Sequence, residues 1–285
     1  MINYSIVIPH HNSPSLLARC LDSIPMRGDI EIIVVDDNSD DDKRPCIQRD
    51  NIKMFHIDAQ HTTGPGGARN LGMAQSKGKW ILFADCDDYY TDGFLEILDK
   101  YKESDLDLLF YGIYFEKASF HKKNYETALE QYEKNNNEYN LRVVKHILQV
   151  PWNFMVKRDF VEKTGVKFGT GYMGEDAIFH HKIAMLANKC EAVKQIIYVW
   201  TYNEGSLTKR KYPDDFLLKF LLPRSIEIIK ILIEAKAWFC IKPFYHGFFS
   251  NKEKYGTRNA FIFVIKRLFM LPWLKIWWHK HLKMK

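Results

Sequence analysis

The chain of 285 residues has few cysteines, no long hydrophobic run and no signal-length apolar segment near its start. The cysteines are odd in number and lack pair spacing; they are Cys20, Cys46, Cys86, Cys190 and Cys240. We therefore expect reduced thiols in a cytoplasmic setting, and both a disulfide framework and a zinc site are disfavoured. Because no stretch reaches the roughly 18 apolar residues of a membrane span, no spanning helix is expected.

A glycine-rich fingerprint is also missing from the place where a dinucleotide-binding protein carries it. The first predicted strand, 4–8, runs into Pro9-His10-His11-Asn12 instead of Gly-x-Gly-x-x-Gly. A nicotinamide dehydrogenase is therefore disfavoured. Glycines cluster later, at 64–67, before a predicted helix that opens with Ala68 and Arg69. This segment is either an ordinary turn or a loop that presents backbone N–H groups and Arg69 to a phosphate.

The composition indicates a folded protein whose positive charge lies at one end. Hydrophobic residues make up 46% of the chain and aromatic residues 14%, so we expect one sizeable domain with an appendage. The formal net charge is +6, but residues 235–285 hold 11 Lys or Arg and a single acid, Glu253. That segment sums to +10, which leaves −4 for residues 1–234. The basic character therefore belongs to the carboxyl-terminal part.

Carboxylates follow an apolar run that begins at Trp80. Residues 80–84 are typical of a buried parallel strand. Three acids come directly after it: Asp85, Asp87 and Asp88. Ligands of open α/β sheets bind beyond the carboxyl ends of the strands, and Asp-x-Asp supplies the oxygen ligands that Mg2+ and Mn2+ prefer. The alternative is an acidic turn that, with Asp92 and Gly93, only caps the next helix.

The rest of the chain alternates between predicted strands and helices. The predicted strands are 4–8, 31–35, 53–57, 80–84, 106–115 and 195–200. The predicted helices are 15–24, 68–74, 93–102, 141–149 and 175–186, and the chain becomes helical again from 214. This alternation predicts an α/β fold with a mainly parallel sheet that is covered on both faces. The second strand also ends in acids, Asp36 and Asp37, and the polar segment 117–140 is predicted as a variable excursion.

A second pair of acids opens the predicted helix 175–186. Glu175 and Asp176 follow a loop that contains Gly171, Met173 and Gly174. In the ordinary interpretation, acids in a first turn favour the helix dipole by about 0.3–1 kcal/mol. Alternatively, one of these carboxylates acts as a general base.

Four sequence blocks occur in a fixed order along the first half of the chain. They are Ser5-Ile-Val-Ile-Pro-x-x-Asn12, Val35-Asp36-Asp37-Asn38-Ser39, Gly67-Ala68-Arg69-Asn70-Leu71-Gly72 and Phe83-Ala-Asp85-Cys-Asp87-Asp88. Together they resemble the nucleotide-binding half of family-2 glycosyltransferases, and the resemblance extends over residues 3–205. It implies a GT-A fold, which is a Rossmann-like, mainly parallel sheet flanked by helices. It also implies a nucleoside diphosphate sugar donor, with UDP the favoured nucleotide, a divalent metal and transfer with inversion.

The resemblance carries roles over to individual residues. It implies that the nucleotide sugar is bound by Pro9, Asp36, Asp37, Arg69, Asp85 and Asp87. It implies that Asp87, with Asp85, holds Mn2+ or Mg2+. Asp176 is expected to be the general base, and Glu175 to orient it or to bind the acceptor. Asp88 is expected either behind the metal-binding acids or facing the acceptor, and Trp152 is either core or a lining of the acceptor pocket.

The same resemblance implies a division of the chain. Residues 1–212 would form the catalytic domain, with a nucleotide-sugar-binding half at 1–116 and an acceptor and catalytic half at 141–212. Beyond the resemblance, the spacing of apolar residues after Asp214 predicts that residues 213–285 form a helical extension. The segment 202–208 resembles the family's loop that closes over the diphosphate. The basic residues 209–211 either assist there or form a solvated charged run.

The implied function is transfer of a sugar to a hydroxyl of a glycan or of a polyprenyl-lipid-linked acceptor, in surface polysaccharide biosynthesis. One alternative is a sugar-nucleotide pyrophosphorylase, which should carry a glycine-rich loop with Arg and Lys directly after the first strand; this chain does not. A second alternative is a catalytically silent module that binds sugar nucleotides or membranes. The complete Asp-x-Asp and Glu-Asp pairs count against it.

The carboxyl-terminal part has its own pattern. Residues 235–285 interleave 13 aromatic residues with the cations counted above. This pattern is typical of a helix at an anionic membrane surface, so we expect peripheral contact through 257–285 on the inner face of the cytoplasmic membrane. Packing of an ordinary helix pair on the core is the alternative. Nucleic acid is disfavoured as a partner because nothing else in the chain indicates a nucleic-acid-binding fold.

Overall fold

A computed structural model of the chain describes residues 1–62, 64–117, 120–170, 174–203 and 222–240. By its contacts the chain divides into the units Met1–Leu207 and Thr208–Lys285. Several predicted features lie outside the described residues: the 212/213 domain boundary, Gly171 and Met173, the basic run 209–211 and the tail segment 257–285. None of the helices in the described ranges has the length and apolar character needed to cross a membrane.

The strands of the first unit arise from short runs rich in Val, Ile and aromatic residues. In the described part of the chain they are β1 (Tyr4–His10), β2 (Ile30–Asp37), β3 (Ile52–Ile57), β4 (Trp80–Phe83), β5 (Tyr89–Tyr90), β6 (Leu108–Phe115), β7 (Phe154–Lys157) and β8 (Cys190–Trp200). They form one sheet in the order β3-β2-β1-β4-β7-β6-β8-β5. The pairs β3/β2, β2/β1, β1/β4 and β6/β8 are parallel, and β5 and β7 run antiparallel to their neighbours. The predicted mainly parallel α/β sheet is confirmed.

Helices connect and cover these strands. They are α1 (Pro14–Asp22), α2 (Gly64–Gln75), α3 (Phe94–Leu98), α4 (Phe120–Lys134), α5 (Glu138–Ile147), α6 (Arg158–Thr164) and α7 (Glu175–Leu186). Helix α2 packs on β1 and β2. It approaches closely because residue 72 is glycine: a Cβ there would lie 2.3 Å from Val7 Cγ1. The segment 64–67, which was predicted as a loop, forms the first turn of α2.

The polar segment predicted as a variable excursion forms α4 and the start of α5 instead. Tyr125, Leu129 and Tyr132 recur at helical spacing and are buried. The hydroxyl of Tyr125 donates a hydrogen bond to the backbone oxygen of Tyr111 in β6 over 2.8 Å. Charged residues on the other side of the helix had hidden this narrow apolar face. Gly93 caps α3, as the acidic-turn alternative predicted, with φ +72°.

The reversed direction of β7 brings an extra segment to the carboxyl edge of the parallel strands. In the paired register Leu82 lies opposite Met155, and Phe110 lies opposite Phe154. The chain therefore enters β7 at the edge where β4 ends. The 3₁₀ turn Pro151–Asn153, which precedes β7, lies beside the acids that follow β4.

The second unit contains α8 (Leu222–Glu234) and a 3₁₀ turn, Trp238–Cys240. One side of α8 is buried, and the turn that follows it folds back through a hydrogen bond from the Ala237 N–H to the Leu232 oxygen at 2.7 Å. The buried apolar residues of α8 are Ile228, Ile229, Ile231 and Leu232, and Ser225 is buried as well. The helical character predicted from residue 214 holds for this described stretch.

Candidate active site

Three carboxylates follow β4 within a few ångströms of each other. Oxygens of Asp85, Asp87 and Asp88 all lie within 4.8 Å of one another. Asp88 is buried and the other two are partly buried. Charges this close repel unless donors or a cation compensate them. The neighbours of each acid therefore decide which of the three can take a metal ion. We call these residues the acidic triad.

Asp85 is held by two donors from distant parts of the chain. Nη2 of Arg69, on α2, donates to Oδ1 over 2.6 Å, and the indole N–H of Trp152 donates to Oδ2 over 3.1 Å. Trp152 is itself buried and stacks on Tyr198 with 5.2 Å between ring centroids. The orientation of Asp85 is thus fixed by both halves of the first unit.

Asp88 has a protein donor at each oxygen. The Tyr198 hydroxyl donates to Oδ2 over 2.9 Å, and the Thr201 backbone N–H donates to Oδ1 over 2.8 Å. Burial raises the pKa of Asp88 well above its usual value, and the charges of Asp85 and Asp87 raise it further. Asp88 and Trp152 both form their hydrogen bonds with other residues of the protein. The acceptor-side roles predicted for them stay predictions.

Asp87 has the greatest remaining capacity for a ligand. Besides its own backbone N–H, one donor reaches its carboxylate among the described residues: Nδ2 of Asn203, at 3.3 Å from Oδ2. Burial, followed by the charge of Asp85, raises the pKa of Asp87, so its negative charge is poorly compensated by the protein. Carboxylate oxygens are the ligands that Mg2+ and Mn2+ prefer. The residues present therefore fit a divalent cation, and Asp87 has the carboxylate oxygens that are most open to one.

The second pair of acids lies in the first turn of α7. Gly174, with φ +75°, caps this helix, and Glu175 and Asp176 follow it. Glu175 is buried, and its Oε1 lies 3.5 Å from Nη1 of Arg69. Asp176 is partly buried, and its Oδ1 accepts a hydrogen bond from the Ala177 N–H over 2.8 Å.

Arg69 connects acids that are ninety positions apart in the sequence. It is 4% exposed and forms ion pairs with both Asp85 and Glu175. The guanidinium also lies over the ring of Phe168, 5.4 Å from its centroid. Its Nε and Nη1 hydrogens make no hydrogen bond among the described residues. The acidic triad and the first turn of α7 therefore meet at one buried arginine.

The electrostatic setting of Asp176 suits a proton acceptor. Burial raises its pKa, the positive charge of Arg69 opposes this rise, and the charge of Asp85 adds to it. A carboxylate with a raised pKa holds a transferred proton more strongly than an exposed one does. The first-turn position stabilises the ionised form through the helix dipole. The predicted position in a first helical turn is confirmed, and the general-base role of Asp176 stays a prediction.

One face of α2 contacts residues that precede α7. The side-chain amide of Asn70 exchanges two hydrogen bonds of 2.9 Å with the backbone of Phe168. A Cβ at Gly66 would lie 2.2 Å from the Gly169 oxygen and 2.7 Å from Glu175 Cγ. Helix α2 is thus docked closely against Phe168, Gly169 and the start of α7.

At the β1–β2 end of the edge, the carboxylate of Asp36 is fully engaged. His10 Nδ1 and His56 Nδ1 each lie 2.9 Å from one of its oxygens, and the Ser39 hydroxyl also donates to it. Burial acts to raise the pKa of Asp36, but the hydrogen bonds from Ser39, His10 and His56 outweigh burial and hold the pKa below its usual value.

Asp37 is less engaged than its neighbour. The Thr62 hydroxyl donates to its Oδ1 over 2.8 Å, and Oδ2 accepts no side-chain hydrogen bond among the described residues. Pro9 lies on the adjacent strand, opposite Val35. Of the two acids predicted to meet the nucleotide, Asp37 therefore has the free oxygen.

Several residues at the site were not predicted from the sequence. Tyr198 and Thr201 hold the triad from the end of β8, Arg19 reaches it from α1, and His10 and His56 hold Asp36. Tyr198 and Asp88 are separated by 110 positions. No local pattern marks such partners, because their role depends on which strands become neighbours.

Residues 5–165 match the model of the family described as Glycosyl transferase family 2, which is more than half of the chain. The chain belongs to this family. Two of the blocks that resembled the family in sequence, around Arg69 and Asp85, supply residues of this site.

Relatives of this family 2 glycosyltransferase occur in several bacteria. The uncharacterized glycosyltransferase EpsJ of Bacillus subtilis (strain 168) is 26% identical over 227 residues, which are 73% of this chain and 63% of EpsJ. The GalNAc(5)-diNAcBac-PP-undecaprenol beta-1,3-glucosyltransferase of Campylobacter jejuni is 36% identical over 105 residues, 34% of each protein. The chain thus spans less than two thirds of the length of either relative.

Solved structures support the fold. The crystal structure of Staphylococcus aureus TarS 1–349 in complex with UDP-GlcNAc matches this family 2 glycosyltransferase with a TM-score of 0.65 and 20% identity. The match covers 87% of this chain and 73% of that one. The predicted GT-A fold is therefore confirmed.

Proposed function

We propose that the protein transfers a sugar from a UDP-sugar to a hydroxyl of a glycan or polyprenyl-lipid-linked acceptor, with inversion, in surface polysaccharide biosynthesis. The observation that carries this proposal is the contact of Arg69 with both Asp85, at 2.6 Å, and Glu175, at 3.5 Å. A donor-side acid and an acceptor-side acid share one buried cation. A single sugar bound between them is in reach of both groups.

On the donor side, Asp87 and Asp85 would hold the metal. Mn2+ or Mg2+ in this place would neutralise the charge that develops on the leaving diphosphate. Pro9, Asp37 and Arg69 border the nucleotide. Asp36 contributes by holding His10 and His56 in place, because its own oxygens are already engaged.

On the acceptor side, Asp176 takes the proton of the acceptor hydroxyl. The hydroxyl oxygen forms a bond to the anomeric carbon while the bond from that carbon to the diphosphate oxygen breaks on the opposite face. The electron pair of the broken bond leaves with the nucleoside diphosphate, and the sugar configuration inverts. Glu175, held by Arg69, keeps the first turn of α7 in place.

The choice of donor and acceptor rests on the relatives. The TarS structure contains UDP-GlcNAc, which supports UDP as the nucleotide. The Campylobacter relative is named for an undecaprenol-linked acceptor, which supports a lipid-linked glycan here. Asp88 and Trp152 are proposed for the acceptor side, and residues 257–285 for peripheral contact with the inner face of the cytoplasmic membrane.

A donor screen tests the proposal. The full chain is incubated with a panel of nucleotide sugars and Mn2+, and release of nucleoside diphosphate is measured. We expect slow hydrolysis of one UDP-sugar that a chelator abolishes and that added Mn2+ restores. Binding of a donor without turnover would favour a catalytically silent module, and neither binding nor turnover with any donor would defeat the proposal.

A further inference from the structure

Arg19 connects α1 to the acidic triad. Its Nη2 donates to the backbone carbonyl oxygen of Asp87, and it lies 3.2 Å from the Thr201 hydroxyl oxygen. The guanidinium lies over the ring of Tyr89, 5.3 Å from its centroid. The contact joins residues 68 positions apart, and no sequence block points to it. An exposed arginine on α1 thus contacts the residue with the most open carboxylate of the triad.

Thr201 also binds the backbone carbonyl oxygen of Asp87. Its hydroxyl donates to the Asp87 oxygen, and its backbone N–H donates to Asp88 over 2.8 Å. The hydroxyl also accepts from Arg19, so the two side chains and the Asp87 carbonyl form a closed set of hydrogen bonds. Thr201 is buried, at 6% exposure. Three segments of the chain, α1, the triad loop and the end of β8, therefore meet at one carbonyl oxygen.

This arrangement compensates for the weak hold on the Asp87 side chain. Asp85 and Asp88 each have a donor at both oxygens, but the carboxylate of Asp87 has one side-chain donor among the described residues, at 3.3 Å. The direction of that carboxylate therefore depends on its backbone. A carbonyl held by a charged donor and a hydroxyl resists rotation of the peptide, because charge-assisted hydrogen bonds are about twice as strong as neutral ones.

We propose that Arg19 and Thr201 are positioning residues that fix the Asp87 backbone and thereby aim its carboxylate at the metal. The proposal rests on the proposed metal-dependent transfer, since it concerns the ligand of that metal. Partners of metal ligands commonly change metal affinity by about 10–100-fold when they are removed. Loss of either residue should therefore weaken metal binding with little effect on folding.

The test measures Mn2+ binding to the full chain by calorimetry, without donor or acceptor. We expect Arg19→Ala and Thr201→Val each to weaken Mn2+ affinity by about tenfold or more, and Arg19→Lys to restore part of it. Arg142→Ala is the control for the arginine, because Arg142 is paired with Glu138 on α5. Thr91→Val is the control for the threonine: its hydroxyl also donates to a backbone oxygen, that of Ile196 at 2.9 Å. Both controls should bind Mn2+ like the wild type.

The outcomes separate this inference from the proposed function. Wild-type affinity in Arg19→Ala and Thr201→Val, with unchanged thermal unfolding, would overturn the positioning role and leave the metal-dependent function standing. If Arg19→Ala fails to fold, Thr201→Val decides, because it only replaces the hydroxyl with a methyl group of similar size. Absence of Mn2+ binding in the wild type would defeat the metal role itself, and the inference with it. In the donor assay of Arg19→Ala and Thr201→Val, we expect the apparent activation constant for Mn2+ to rise by a larger factor than that by which kcat falls.

Discussion

At the scale of single residues, four acids of the candidate site differ in how many hydrogen bonds their carboxylates accept from the protein. Asp36 and Asp88 accept hydrogen bonds at both oxygens. Asp87 and Asp176 have much weaker engagement of their carboxylates. An acid with both oxygens engaged holds its neighbours in place, whereas an acid with an open oxygen can bind a ligand or take a proton. We therefore expect Asp87 to bind the metal and Asp176 to take the proton of the acceptor.

This distinction explains what the sequence could and could not predict about the site. The blocks around Asp36, Asp85 and Glu175 placed the acids at strand and helix ends, and those positions hold. The donors that separate engaged from open acids come from remote positions, such as Thr201, which is 113 positions from Asp88. Local patterns carry no information on such pairs. The hydrogen-bond partners of each acid could therefore be identified only from the folded structure.

Asp176→Asn tests the general base. The amide keeps the size of the side chain but cannot take a proton, so we expect kcat to fall by about 10²–10⁴-fold with donor affinity nearly unchanged. Asp159→Asn is the matched control, because Asp159 lies in the first turn of α6 and shares the helix-dipole contribution. Steady-state kinetics gives kcat, and titration with the donor gives the donor affinity. A comparable loss of donor affinity would reassign Asp176 to donor binding.

The pH dependence of the rate follows from the same residue. Burial raises the pKa of Asp176, although Arg69 opposes the rise. The base works only when it is ionised, so the rate should fall as the pH drops through this raised pKa. The acid limb should therefore lie above the value of about 3.9 that is typical of an exposed Asp. Measurement of kcat at saturating donor and Mn2+ locates it. A limb at or below 3.9 would contradict the assigned base.

At the scale of secondary-structure elements, α2 connects the acidic triad to α7. Its Gly66 approaches Gly169 closely, its Arg69 pairs with Glu175, and its Asn70 forms hydrogen bonds with Phe168. Through Arg69, which also pairs with Asp85, these contacts relate the position of α7 to that of the triad. A change in how α2 docks should therefore reduce catalysis without removing any acid.

Gly66→Ala changes that docking alone. The added Cβ would lie 2.2 Å from the Gly169 oxygen and 2.7 Å from Glu175 Cγ, so the segment before α7 must move. We expect a loss of about 1–3 kcal/mol in the free energy of unfolding, typical of overpacking, together with a lower kcat. Gly28→Ala is the control, since no atom lies within 4 Å of its added Cβ. Denaturant unfolding and activity are the measurements, and wild-type values for Gly66→Ala would contradict the docking role.

The elements themselves were predictable to different degrees. The strands β1 to β4 were predicted within two residues at each end, because buried apolar runs with polar ends are distinctive. Helix α4 was missed, since its apolar face is narrow and its sequence is largely polar. The reversed β7 was missed too, because the apolar run 154–156 is too short to reveal its direction. That strand matters most here, since it brings Trp152 to Asp85.

At the scale of the whole molecule, charge is divided along the chain. Residues 1–234 sum to −4 and residues 235–285 to +10. The proposed donor is water-soluble, whereas the proposed acceptor is linked to a lipid. A basic, aromatic segment at a membrane surface would keep the first unit near such an acceptor. The prediction from sequence rests on composition alone, because 257–285 lies outside the described residues.

Deletion of residues 257–285 tests membrane contact. The segment holds seven Lys or Arg and no acid. Each cation near an anionic surface contributes about 1 kcal/mol, and screening by salt weakens it. We expect the intact chain to sediment with anionic liposomes at low salt and not with zwitterionic ones, and the deletion to stay in solution. Lys275→Gln with Lys280→Gln keeps every aromatic residue and should bind with intermediate strength. An intact chain that never binds anionic liposomes would exclude the membrane role, whatever its activity on soluble acceptors.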